Sequence, residues 1–112
     1  MSQTIDPPYD RERLVELFGN DPKTLTEVER EFVETAREAE REIAEANDLG
    51  TIARAAHRVK GASGMIGAAA LHRVAEALER AAKADDLPGV RRMQMIFSQE
   101  VKRVAEQAGL SA

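Results

Sequence analysis

The residues best equipped for chemistry lie together in the run His57-Arg58-Val59-Lys60-Gly61-Ala62-Ser63-Gly64. A neutral imidazole is a nitrogen nucleophile near pH 7, and a lysine one helical turn away supplies a point cation beside it. At about 100° per residue of helix, Lys60, Gly61 and Gly64 fall within about 60° of His57. Ile52, Ala55, Ala56, Val59, Ser63 and Ile66 collect on the opposite side, so the histidine is predicted to point away from the core. Each glycine inside a helix costs about 1 kcal/mol relative to alanine. Two of them beside one exposed imidazole imply that a large body approaches that surface closely. The combination suits a nucleophilic nitrogen offered to a group that another molecule brings.

The elements that must position this run read as helix after helix. Residues 1–9 form a flexible tail, and residues 10–112 form one domain. A first helix over residues 10–18 has Leu14, Leu17 and Phe18 as its apolar stripe and stops at Gly19. Asp21 caps the next helix, and Pro22 takes its first position, where a missing N–H does no harm. Leu25, Val28, Phe32, Thr35, Ala39, Ile43 and Ala46 recur there at spacings of three and four. Its glutamates, from Glu27 through Glu29 and Glu31 to Glu45, read as a solvated face. Asn47-Asp48-Leu49-Gly50 breaks the chain and caps the helix of His57, which ends between Gly64 and Gly67. A further helix buries Leu71, Val74, Ala75, Leu78, Ala81 and Ala82. The last begins at Asp85-Asp86, with Pro88 tolerated in its first turn, and buries Leu87, Val90, Met93, Phe97, Val101, Val104 and Ala108. No segment alternates with a period of two. The expected fold is all-α: an antiparallel up-and-down four-helix bundle with a short N-terminal helix.

Composition narrows the function classes. With 112 residues the chain makes a single domain with its own core. It has no cysteine, which removes disulfides, thiol catalysis and cysteine zinc sites. No apolar run approaches the roughly 20 residues that cross a bilayer, and the expected compartment is the cytoplasm. Sixteen Lys and Arg against twenty Asp and Glu leave a net charge of −4, which argues against general affinity for nucleic acid or anionic membrane. The expected partner is another protein.

The pattern His57-x-x-Lys60-Gly61-x-Ser63-x-x-x-Gly67-Ala68 resembles the signature of histidine-containing phosphotransfer (HPt) domains of two-component phosphorelays. The likeness extends over roughly residues 14–108, including the helix of Phe32 before the motif and the Asp85-Asp86-Leu87 turn before the last helix. It implies that His57 is the phosphoacceptor, that Lys60 stabilises phosphoryl charge, and that Gly61 leaves room for a docking receiver domain. It implies response-regulator receivers or a hybrid histidine kinase as partners, with Mg²⁺ held by the receiver and none by this chain. Such a chain is a phosphocarrier and not itself an enzyme. Arg54 and Arg58 flank the same face and would steer an acidic receiver pocket toward it, with Gly61 and Gly64 completing the docking surface. The expected state is a monomer.

Other readings of the same residues are weaker. A helical module that docks through its alanine-rich faces leaves the glycines beside His57 unexplained. A metal enzyme is weaker still, since two histidines are few ligands and the Glu-x-x-His pattern of di-iron bundles is absent. The phosphoacceptor domain of a larger kinase would need its other domains outside these residues. Ser63 is read as a small packing residue whose hydroxyl bonds back to the Val59 carbonyl. Gly67 is assigned to a turn, His72 to the ordinary surface, and Met65, Met93 and Met95 to core or rim packing.

Overall fold

The computed structural model describes residues 7–110, which form five α-helices and no strand. They are α1 (Arg11–Phe18), α2 (Pro22–Glu45), α3 (Leu49–Met65), α4 (Ala69–Lys83) and α5 (Leu87–Gln107). Helix α2 packs on α3 and α5, α3 on α4, and α4 on α5, closing a ring of four with α1 laid on α2. Facing pairs fix the sense of α3 against α4: Gly64 lies opposite His72, and His57 opposite Glu79. The two helices therefore run antiparallel, and the ring is compatible with an up-and-down bundle. None of the described helices is long and apolar enough to cross a membrane.

The starts of the helices follow from side-chain caps. The Asp10 carboxylate accepts from the Glu12 and Arg13 amides at 3.0 and 3.3 Å, Asp48 from the Thr51 amide at 2.7 Å, and Asp86 from the Gly89 amide at 3.0 Å. Asp21 departs from expectation: its carboxylate takes the Thr24 hydroxyl at 2.8 Å instead of a backbone amide. Gly67, φ +72°, ends the turn after α3, and there a Cβ would come within 2.9 Å of the Asp10 side chain. Conformation and space both demand glycine at that point. The Asp10 amide in turn donates to the Ile66 carbonyl at 3.3 Å, tying α1 to the α3–α4 turn.

The core gathers the predicted faces. On α2 the buried set includes Leu25, Phe32, Ala39 and Ile43, joined by Val33 and Ala36, while Val28 and Thr35 lie on its half-covered edge. On α3, Ile52, Ala55, Ala56, Val59 and Ser63 are buried, with Ile66 just beyond. Four expectations need correction. The tail boundary falls too late: Tyr9 is 2% exposed in the core, its hydroxyl on the Glu29 carboxylate, while residues 1–6 lie outside the described residues. Glu29 is for the same reason not part of a solvated face. The Ser63 hydroxyl is buried without a hydrogen-bond partner, so it does not bond back to Val59. Leu17, Phe18, Met65, Met95 and also Leu87, expected in the buried stripe of α5, are exposed; in α1 only Leu14 is fully buried, which leaves Leu17 and Phe18 on the rim.

Candidate functional site

Helix α3 turns its exposed face outward through Arg54, His57, Arg58, Gly61 and Gly64. The His57 side chain is 65% exposed. Its Nδ1 lies 3.0 Å from Oε2 of Glu79, on the facing side of α4. A carboxylate only accepts, so Nδ1 carries the hydrogen. In the neutral ring the lone pair is then on Nε2, the nitrogen Glu79 does not hold.

Glu79 is 5% exposed, a depth at which a carboxylate needs partners. It has three. Besides His57, Lys60 Nζ binds Oε1 at 2.9 Å, and Lys83 Nζ, one turn further along α4, binds Oε2 at 2.9 Å. Hydrogen bonds from Lys83 and then Lys60 hold this carboxyl down at about 2, against the opposing effect of burial, with His57 adding to the lowering. Lys60 is thus where the sequence put it, but its ammonium is engaged by Glu79. An open concavity of about 490 Å³ lies over the cluster, lined by Ala53, Arg54, His57, Arg58, Glu79 and Lys83.

The two glycines have different surroundings. A Cβ on Gly61 would meet nothing within 4 Å, leaving flush, open surface one turn from His57. At Gly64 a Cβ would lie 3.4 Å from Nδ1 of His72. His72 is not the ordinary surface residue expected: half-buried, it meets the Lys60 carbonyl through Nδ1 at 2.9 Å. Since a carbonyl accepts, Nδ1 of His72 is the donor. The bond fastens α4 to the turn of α3 that bears Lys60.

Of the flanking arginines, Arg58 is paired with Glu42 of α2, and Arg54 leans on the Thr51 hydroxyl at 3.4 Å. Beyond Gly61 an apolar shoulder continues through Ala62 and the exposed Met65 to Phe18 of α1. Sequence reasoning missed Glu79 and Lys83. Their i, i+4 spacing was visible, with Glu79 bordering the stripe of Ala75, Leu78 and Ala82, but its pairing with a histidine 22 residues away depends on how α3 and α4 register.

An all-helical bundle with a motif histidine turned to solvent is the class of protein to which the sequence resemblance pointed. Residues 22–107 match the Hpt domain family, and the chain belongs to it. Hpt domains serve histidine phosphotransfer in two-component signalling, as phosphocarriers that interact with the receiver domains of response regulators. No curated protein matches the chain.

Proposed function

We propose that this domain is a phosphorelay carrier that accepts a phosphoryl group on Nε2 of His57 from the phospho-aspartate of a receiver domain and exchanges it with another response regulator. One observation supports this above the rest: His57 is exposed while Glu79 engages its Nδ1, which leaves Nε2 free beside the open surface at Gly61.

In the transfer the Nε2 lone pair forms a bond to phosphorus as the acyl phosphate P–O bond breaks, its electron pair remaining on the receiver aspartate. The ring becomes a cation on phosphorylation; the proton stays on Nδ1, donated to the Glu79 carboxylate, whose charge helps to offset that of the ring. Charge on the phosphoryl oxygens is met by the positive potential of Lys60, and Mg²⁺ is brought by the receiver. Written in reverse, the same step returns the group to an aspartate. Arg54, Arg58, Gly61 and Gly64 form the docking face, extended by Met65 and Phe18. The protein acts as a cytoplasmic monomer, not as an enzyme, with response-regulator receivers or a hybrid histidine kinase as partners and without nucleic acid or membrane.

The test is transfer of radiolabel from a phosphorylated receiver with Mg²⁺. Label should appear in an acid-labile, alkali-stable form on the wild-type chain and be absent from His57→Gln. Equal labelling of that variant overturns the assignment. Gly61→Trp should keep the helical circular dichroism of the parent and slow transfer; unchanged kinetics would remove this face from docking.

A further inference from the structure

We propose that Lys83 is a positioning residue for His57: together with Lys60 it occupies Glu79, so that this carboxylate orients the imidazole without drawing a proton onto Nε2. The inference rests on His57 being the phosphoacceptor and deepens that reading.

A carboxylate bonded to an imidazole has two effects that conflict in a nucleophile. It fixes the hydrogen on Nδ1, which leaves the lone pair on the outward nitrogen. Its negative charge also favours the doubly protonated ring, in which Nε2 has no lone pair to attack with. Glu79 alone would impose both. In this site Lys60 holds Oε1 at 2.9 Å, and Lys83 holds Oε2 at 2.9 Å, the same oxygen that meets His57 Nδ1 at 3.0 Å. One carboxylate charge therefore faces two ammonium charges. The imidazole meets a hydrogen-bond acceptor whose negative charge is counterbalanced by the two ammonium groups.

The surrounding charges do not undo this. From α3 the ring is flanked by Arg54, Arg58 and Lys60, and from α4 by Glu79 and Lys83, while Glu42 of α2 is paired with Arg58. Glu79 is the acid in contact with the ring. Lys60 belongs to the signature motif, whereas Lys83 stands in the last turn of α4 with a mostly exposed side chain. Its contribution is accordingly open to screening by salt.

The experiment uses phosphoramidate, a small phosphoryl donor that needs no receiver. The Nε2 lone pair attacks phosphorus, the P–N bond breaks, and the nitrogen, already present as –NH3⁺, leaves as ammonia while the Nδ1 proton stays in place. Uptake is followed by ³¹P NMR as a function of pH. In Lys83→Met the acid limb of the rate profile should move up by about half a unit to one unit, a loss of about three- to tenfold on that limb. Rates should converge with wild type at alkaline pH, the gap should narrow in high salt, and Lys83→Arg should restore the profile. In a Glu79→Gln background, Lys83→Met should have no further effect on the limb. Superimposable profiles, or a loss equal at every pH, overturn the proposal, the latter because it would mark simple attraction of phosphate or a structural defect. Failure of the phosphoacceptor reading looks different: wild type takes up no phosphate, or His57→Gln takes up as much.

Discussion

Glu79 is the residue on which the chemistry of this site turns, because it converts an exposed histidine into an oriented one. Its carboxyl lies at about 2, below the ordinary 4.5, through its hydrogen bonds to Lys83 and Lys60. A folded-state value below the unfolded one stabilises the native state above the unfolded value, and that stability is lost as pH falls through the folded one. The window therefore runs from about 4.5 down to about 2. Across it the thermal unfolding midpoint of wild type should fall more steeply than that of Glu79→Gln, which has no proton to take up there. Parallel slopes by circular dichroism would show that the three contacts add nothing to folding. Ser63 illustrates the opposite case, a polar side chain that does no chemistry. Its hydroxyl is buried and unpartnered, and its value to the fold is its small volume between helices.

At the level of elements, helix α3 does two jobs with two glycines that look alike in sequence. Gly61 faces open space, whereas Gly64 faces the His72 ring that donates to the Lys60 carbonyl. Alanine in place of an unstrained mid-helix glycine stabilises by about 0.5–1 kcal/mol. Gly61→Ala should realise that gain in urea denaturation. Gly64→Ala should gain less, since its new methyl must share space with the imidazole 3.4 Å away. If both gain equally, His72 does not need the seat that Gly64 leaves. The motif spacing thus serves an outward requirement at one glycine and an interhelical one at the other.

Over the whole molecule, a ring of four helices is closed at one end by the segment before α1. Tyr9 is buried with its hydroxyl on the Glu29 carboxylate of α2, and its backbone meets Gln107 at the end of α5, with amide and carbonyl both bonded to that side chain. Burial, then the Glu29 bond, push the Tyr9 phenol well above the usual tyrosine range, so it acts as a donor throughout the working range. Tyr9→Phe leaves a 7%-exposed glutamate with Arg11 at 3.6 Å as its remaining ion-pair contact. The variant should lose about 1–3 kcal/mol in denaturant unfolding, with an unchanged slope. No loss would mean that water or Arg11 replaces the hydroxyl.

Much of this protein was legible in its residues. Periodicities of three and four placed five helices and the buried face of α3, and Asp48, Asp86 and Gly67 marked their ends, because capping and helical spacing are local effects. The outward direction of His57 followed from that same local angle. What lay beyond reach were contacts between residues distant in sequence. Glu79 and Lys83 meet His57 only because α3 and α4 lie antiparallel in one register, and His72 meets Lys60 for the same reason. Tyr9 looked like tail because no pattern along the chain announces that α2 holds a carboxylate for its hydroxyl. A helix's own geometry decides which way a side chain points; only the packing of helices decides what it finds there.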